Sequence, residues 1–308
     1  MTAVEERPAA SSEGAQATPE FEALAERQER RRGVFYALPA YLYLIIFFAI
    51  PFLIVVVYSF ATRTRTGGVE LGGWNLDSYQ RLWDEVIEGG IVRDVLVRSL
   101  GLALLTTVIC LVIAYPFSYY ITTRSPAVRN VMLALVMIPF WTNFLVRNYA
   151  WRLILANEGP LSNTTDTIGL GPTDILFTNA AVVLGMVYAF LPFMVLPLYA
   201  SIERIDTSLI EASRDLYGNS SQTFRRVIFP LSLPGVIAGC ILVFVPAAGA
   251  YVTPAILGGN KNVLLGSYIV DQFGNARNFP FGASLSVVLM VLMLTATLAY
   301  FRSGGRNL

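Results

Sequence analysis

Six stretches without Asp, Glu, Lys or Arg constrain the fold of this chain more than any other feature. They cover residues 33–62, 99–123, 130–146, 175–202, 227–260 and 278–301. Each is close to or above the roughly 20 residues that an α-helix needs to cross the hydrocarbon of a bilayer. Charged residues make up only 14% of the chain, against about 25% in a typical soluble domain. We therefore predict an all-α membrane protein with six transmembrane helices.

The domain boundaries follow from where these stretches meet polar sequence. The predicted membrane domain, residues 35–302, has spans at about 35–60, 97–123, 130–155, 177–201, 228–258 and 279–302. Residues 1–34 form the first tail, in which residues 1–19, rich in Ala, Ser, Glu and Pro, are expected to be disordered. Within it, residues 20–32 are either a short interfacial helix or a solvated charged arm. Residues 303–308 form the second tail.

The orientation follows from arginines directly before the first span. Arg27, Arg30, Arg31 and Arg32 precede it, and the positive-inside rule places such clusters in the cytoplasm. With six spans, both termini are then cytoplasmic. The polar segment between the fourth and fifth spans, residues 203–227, is on the same side.

Several function classes are disfavoured by what the sequence lacks. The net charge of +1 gives no basic field for nucleic acid, and there is no histidine. A membrane enzyme would need a nucleophile–base pair, which is not visible, so no catalytic residue and no metal ligand is assigned. Secondary transporters usually carry carboxylates within the membrane, whereas all 21 acidic residues here fall in tails and loops. Cys110 and Cys240, in separate spans, are interpreted as small hydrophobic residues.

The fifth hydrophobic run is too long for one straight span. As a helix, residues 227–258 would measure roughly 48 Å, against a hydrocarbon core of about 30 Å. The run also contains four prolines. Irregular backbone at membrane depth needs protein or a water-filled cavity to satisfy it. The stretch PAAGAYVTP (246–254) is therefore either a lining of a transport path or a set of proline kinks packed against neighbours.

The 203–227 segment is predicted to form two short helices. Ser208 and Glu211 match a capping box at a helix start, and Gly218 fits the left-handed position that ends a helix. Ser220 or Ser221 is predicted to cap the second helix. One face of the first helix carries Leu209, Ala212, Ser213, Leu216 and Tyr217, and the opposite face carries Glu211, Arg214 and Asp215. Such a helix pair either docks a soluble partner or lies on the lipid surface.

A resemblance decides between these two interpretations. The stretch EASRDLYGNSSQTFRRVIFPLSLP resembles the cytoplasmic loop of permease subunits in bacterial ABC importers. Glu211, Ala212, Gly218 and Pro230 match the pattern of that family. Ser213 replaces its second alanine, and Asn219 replaces the small residue that usually follows the glycine.

This resemblance implies a type I ABC importer permease fold in a bacterial inner membrane. In that family the loop is a coupling helix that inserts into the ATPase. The residues it assigns to docking are Ser208, Glu211, Ala212, Asp215, Leu216, Gly218, Phe224 and Pro230. The implied partners are a second six-span permease, two ATPase subunits, an external solute-binding protein and the lipid bilayer. ATP and Mg would be used by the ATPase, because this chain has no G-x-x-x-x-G-K-[ST] loop and carries no cofactor.

Four further stretches resemble the spermidine/putrescine permease branch. They are IPFWTNFLVRNYAWRLIL (138–155), LPFMVLPLYASIERID (191–206), LPGVIAGCILVFVPAAGAYVTPAILGG (233–259) and DQFGNARNFPFGAS (271–284). A polyamine is therefore the expected cargo, with another small cationic or zwitterionic solute as the alternative. Ala250 departs from relatives that place an acidic or larger residue there.

The candidate path residues are mostly aromatic. They are Trp141, Asn143, Arg147, Tyr149, Tyr188, Tyr251 and Thr253. Aromatic rings can hold a cation by cation–π contact, but they are also common in helix packing. Arg147 either lines the path with Asn143 and Asn148 or lies at the outer interface or in a structural ion pair. We favour a position at the outer interface or in an ion pair, because a guanidinium in the path would repel a polyamine.

Overall fold

The computed structural model describes residues 36–64, 68–167, 174–259 and 262–304. The predicted tail at 1–34, with its arginine cluster, lies outside the described residues, as do residues 305–308 of the second tail. Two compact units are distinguished, Met1–Ile54 and Val55–Leu308. The described part of the first unit is helical.

The described residues form eleven helices and one small ribbon. The helices are α1 (Tyr36–Ser59), α2 (Asp77–Ile87), α3 (Ile91–Thr122), α4 (Pro126–Trp141), α5 (Phe144–Ile154), α6 (Pro160–Thr167), α7 (Asn179–Glu203), α8 (Thr207–Asp215), α9 (Ser220–Ala248), α10 (Leu265–Phe273) and α11 (Phe279–Gly304). The strands β1 (Thr62–Arg63) and β2 (Val69–Glu70) pair antiparallel. Single π-helical turns occur at Ile45–Ala49, Phe224–Ile228 and Pro254–Gly258.

The spans agree with the prediction in number when one bent pair counts as a single span. Within the described residues, five helices are long and apolar enough to cross a membrane, namely α1, α3, α7, α9 and α11. The pair α4–α5 passes the same test together but is bent by 89°. Helix α11 continues to residue 304, so the predicted second tail begins two residues inside it.

The centre of the second unit is formed by α3, α7 and α9. Cys110, Ala114, Met194, Val195 and Val243 are fully buried there. Small residues let the backbones approach closely, as is common between membrane helices. A Cβ built on Gly235 of α9 would lie 2.4 Å from the Cβ of Ser201. Both cysteines are free.

A second cluster joins α2 and α10 to the first turns of α3 and α11. Leu82, Val92, Leu265 and Phe281 are buried in it. The backbone N–H of Leu265 donates to the Ser99 hydroxyl at 2.6 Å, which fixes the start of α10 against α3.

The fifth hydrophobic run is broken, as predicted. Helix α9 ends at Ala248, residues 249–251 are non-helical, and a helical turn resumes at 252. The freed carbonyls lie against α10: the Ser267 hydroxyl donates to Tyr251 O at 3.2 Å, and a Cβ on Gly266 would lie 2.5 Å from Gly249 O. Protein therefore satisfies part of this irregular backbone.

Candidate docking segment and transport path

Helix α8 starts from Asp206. The Asp206 carboxylate accepts a hydrogen bond from the backbone N–H of Ser208 at 2.9 Å. This hydrogen bond and, as a second cause, one from the Ser208 side chain lower the pKa of Asp206 below its ordinary 3.8. The predicted capping box of Ser208 and Glu211 is therefore wrong, because a better-placed acceptor two residues earlier already caps the helix.

Helix α8 ends in a Schellman motif. The N–H of Gly218 donates to Ser213 O, and the N–H of Tyr217 donates to Arg214 O, both at 2.9 Å. The residue with positive φ is Tyr217, at 59°, so the prediction of Gly218 as the left-handed residue is wrong. Glycine is needed for another reason: a Cβ at position 218 would lie 2.5 Å from Ser213 O.

The second helix of the segment begins with a reciprocal cap. Asn219 Oδ1 accepts from the N–H of Gln222 at 2.8 Å, and Gln222 Oε1 accepts from the N–H of Asn219 at 3.1 Å. The prediction of Ser220 or Ser221 as the cap is therefore wrong. The hydroxyls of Ser213 and Thr223 share a hydrogen bond of 2.9 Å. The two positions that depart from the family pattern, 213 and 219, thus both make polar contacts that stiffen the corner.

The tip of this segment is apolar and exposed. Leu216 is 82% exposed and Tyr217 is 98% exposed. An aromatic residue held in left-handed backbone costs about 1–2 kcal/mol, and such strain concentrates at functional sites. These properties fit a surface that a partner covers.

The base of the segment is anchored to α3. The Phe224 ring meets the Tyr115 ring edge-on at 5.5 Å, and Phe229 lies 6.0 Å from Tyr115. The Tyr115 hydroxyl also shares a hydrogen bond of 2.7 Å with Ser232 of α9. Phe224 starts the π turn within α9 that ends two residues before Pro230. Movement of the tip would therefore reach α3 and α9 directly.

The predicted third span, 130–155, is two helices rather than one. Helix α4 ends at Trp141, and Asn143 caps α5 by accepting from Leu145 N–H at 2.9 Å and Val146 N–H at 3.3 Å. The sequence signal was a proline, Pro139, followed by a good capping residue, and sequence reasoning missed it.

Arg147 bridges this break. Its Nη1 donates to Pro139 O at 2.8 Å, and its guanidinium lies 5.3 Å from the Phe144 ring and 5.9 Å from the Tyr188 ring. Among the described residues it has no carboxylate within salt-bridge distance. Of the two favoured roles, the outer interface or a structural ion pair, the ion pair is not seen there, and a carbonyl near the end of α4 takes its place.

The other path candidates do not gather in one cavity. Tyr188 packs edge-on against Trp151 at 5.4 Å, beside Arg147. Trp141, Tyr149 and Tyr251 are exposed, at 77%, 52% and 49%. Thr253 is only 2% exposed and faces Gly185 of α7. Asn148, which the sequence placed beside Arg147 as a path alternative, is buried and donates to Phe144 O at 2.8 Å.

Potential ligands for a metal are not clustered in the part of the chain that the structure describes. No group of three or more His, Cys, Asp or Glu side chains there is arranged to hold an ion. The candidate site consists of an exposed apolar helix end and of aromatic, amide and carbonyl groups.

The described residues thus form a multi-pass helical membrane protein with breaks in two spans and an exposed, well-capped helix pair between α7 and the rest of α9. The sequence profile of the family described as "Binding-protein-dependent transport system inner membrane component" matches residues 23–304. The chain belongs to this family. It is therefore a multi-pass inner-membrane component of a transporter and not an enzyme.

The chain is similar to permeases of known transport systems. It is 42% identical to the spermidine/putrescine transport system permease protein PotB of Escherichia coli K12 over 263 residues, covering 85% of this chain and 94% of PotB. The PotB protein of Haemophilus influenzae is 40% identical, with 85% and 90% covered. The inner membrane ABC transporter permease protein YdcU of Escherichia coli K12 is 31% identical, with 65% and 68% covered.

Solved structures share the fold. A chain of the bacterial alginate ABC transporter, in complex with its alginate pentasaccharide-bound periplasmic protein, has a TM-score of 0.70 at 15% identity. The match covers 91% of this chain and 96% of that chain. The predicted importer permease fold is therefore confirmed.

Proposed function

We propose that this chain forms the translocation path for spermidine or putrescine in an import system driven by separate ATPase subunits. The identity of 42% to a spermidine/putrescine permease, over 94% of that protein's length, supports the cargo. The chain's own chemistry fits a cation, because aromatic rings and backbone carbonyls can hold ammonium groups. The external solute-binding protein would supply most of the cargo selectivity.

The 203–227 segment is the proposed docking element for the ATPase. The exposure of Leu216 and Tyr217 at a rigid helix end carries this proposal. With the arginines before the first span inside, this segment and both termini face the cytoplasm. Two ATPase subunits there, and a second six-span permease beside this chain, complete the assembly.

Transport would proceed by alternating access. Closure of the ATPase subunits on ATP displaces α8. The Ser213–Thr223 bond and the Phe224–Tyr115 contact carry that displacement to α9 and α3. The spans then shift between two packed states, with the path open to one side at a time.

A pair of matched variants tests the docking role. In Leu216→Glu, a charge is placed where the partner should bury an apolar side chain, so we expect loss of ATPase co-purification and of ATPase stimulation. Leu71→Glu is the control, because Leu71 is also exposed, at 62%, and lies in the loop after α1. Equal ATPase recovery with both variants would refute docking through this segment.

The cargo is tested by titrating the cognate external binding protein with spermidine, putrescine and unrelated solutes. Uptake is then measured in vesicles containing the complete complex. Polyamine binding and ATP-dependent polyamine uptake are expected. Uptake of only another small cationic or zwitterionic solute would correct the cargo, and uptake by this chain without ATPase would indicate a secondary transporter.

A further inference from the structure

Arg129 joins three helices at one end of the bundle. It lies in the first turn of α4 and forms an ion pair with Glu203, the last residue of α7. Its Nη2 donates to Thr122 O, at the end of α3, at 2.9 Å. Its guanidinium lies 5.9 Å from the ring of Tyr199, one turn earlier on α7. We call Arg129 and Glu203 the clamp.

Each charge of the clamp is unfavourable on its own helix. A helix start favours acidic side chains and a helix end favours basic ones, yet Arg129 is at the start of α4 and Glu203 is at the end of α7. The exposed fractions of the two side chains are 22% and 41%. Local helix stability therefore does not account for these residues, whereas their pairing does.

Helix α4 has few other attachments. None of its residues is buried. Met132, Leu133 and Val136 are only partly buried against the core, and Phe140 meets Phe193 of α7 at 5.2 Å. The clamp is thus the polar attachment at one end of α4. The break at Thr142 and Asn143 is at the other end, about 18 Å away at 1.5 Å per residue.

Glu203 of the clamp is also the first residue of the docking segment. Only residues 204–206 separate Glu203 from α8, and Ile205 N–H bonds back to Ile202 O at 3.1 Å, which keeps this link short. A displacement of α8 would therefore move Glu203 as well.

We propose that the clamp is a transmission element: Arg129 makes α4 follow the docking segment, so that ATPase movement reaches the broken third span. This inference rests on the proposed docking of α8. Arg129 and Glu203 act as positioning residues, since neither is placed on the cargo path. The aromatic anchor of Phe224 serves α3 and α9, and the clamp serves α4.

The test uses charge exchange in the complete complex with its ATPase subunits. Arg129→Glu and Glu203→Arg each create a like-charge pair, and the double variant restores an opposite pair with each charge at the helix end that favours it. Arg124→Glu is the control: the Arg124 side chain stacks on Tyr120 at 4.1 Å, and only its backbone carbonyl, which the substitution keeps, accepts from Arg129 Nη2 at 3.4 Å.

The first readout is spermidine uptake per ATP hydrolysed, which is independent of the amount of complex inserted. We expect each single variant to lower this ratio by about fivefold or more, as for a lost coupling of 1 kcal/mol or above. The double variant should recover most of the ratio, and Arg124→Glu should keep it. Unchanged ratios in the single variants, or a double variant no better than the worse single one, would overturn the clamp.

The second readout does not depend on the cargo. Spin labels on Leu135→Cys of α4 and Thr207→Cys of α8, with Cys110 and Cys240 replaced by alanine, report their separation with and without trapped ATP. With the wild-type ion pair, the distance between the two labels should be the same with and without trapped ATP. In the single variants, the distribution of this distance should become broader. A separation that changes equally in all variants refutes the clamp, whereas failure of the ATPase to bind the unmodified complex refutes the proposed docking instead.

Discussion

Gly218→Ala should uncouple the transporter while leaving the membrane domain intact. A Cβ at this position would lie 2.5 Å from the carbonyl oxygen of Ser213, whereas ordinary contact begins near 3.4 Å. The turn must therefore open by about 0.9 Å, which stretches the Gly218–Ser213 hydrogen bond beyond its usual range. The backbone φ of Gly218 is not the obstacle, because the left-handed residue is Tyr217.

The size of the effect follows from two contributions. The lost hydrogen bond is worth about 1 kcal/mol, and a side chain forced into a filled site typically costs about 1–3 kcal/mol. The corner is therefore weakened by about 2–4 kcal/mol, and Leu216 and Tyr217 lose their fixed position. The central packing of α3, α7 and α9 does not involve this residue.

The assay compares ATPase stimulation and uptake in vesicles with equal amounts of inserted complex. Gly101→Ala is the matched control, since a Cβ there meets nothing within 4 Å and alanine favours a helix by up to about 1 kcal/mol. We expect normal activity in the control and strong loss in Gly218→Ala. Normal ATPase stimulation in Gly218→Ala would show that the corner geometry does not matter for coupling.

Three further variants separate stability from function. Tyr217→Asn should stabilise the corner by about 1 kcal/mol, because asparagine tolerates left-handed backbone, yet lower ATPase co-purification; increased protease resistance without loss of binding would contradict the docking role. Asn143→Ala should lower the free energy of unfolding by about 1 kcal/mol through loss of the α5 cap, seen as a lower melting temperature that Asn143→Ser largely avoids. The depressed pKa of Asp206 means that its contribution is complete above its ordinary pKa and is lost as pH falls through the lowered value. Protease resistance of the 203–227 segment should therefore fall in acid for the wild type and not for Asp206→Asn, which keeps a capping oxygen.

The spans were predictable because charge is excluded from hydrocarbon, and that rule acts on whole stretches of sequence. The break in the fifth run was predictable because the charge-free stretch, as one straight helix, would be longer than the hydrocarbon core is thick. The break in the third span was missed because its total length, 130–155, suits a single crossing. Only the combination of Pro139 with a capping residue at Asn143 marked it, and proline alone is common within membrane helices.

In the docking segment, the cap of α8 was predicted at Ser208 but is Asp206. The cap of α9 was predicted at Ser220 or Ser221 but is Asn219. Asp206 and Ser208 are both good capping residues, as are Asn219 and Ser220, so the sequence does not decide between them. Geometry decides, through the residue whose oxygen reaches a free N–H. The left-handed position was assigned to Gly218 because glycine adopts it most easily. The Schellman pattern instead places Tyr217 there and uses the small size of glycine one residue later.

Rigidity at the docking corner must come from these local contacts, because α8 has only nine residues and none of them is buried. A helix of that length is not stable in water alone. The Asp206 cap contributes to this rigidity, and the Schellman bonds and the Ser213–Thr223 hydrogen bond each contribute about 1 kcal/mol. Removing any one leaves the spans unaffected but lets the tip move, so an applied force bends the corner before it shifts the membrane helices. Lesions in the 203–227 segment should therefore appear as lost uptake and lost ATPase stimulation in normally inserted complexes, and not as failed insertion.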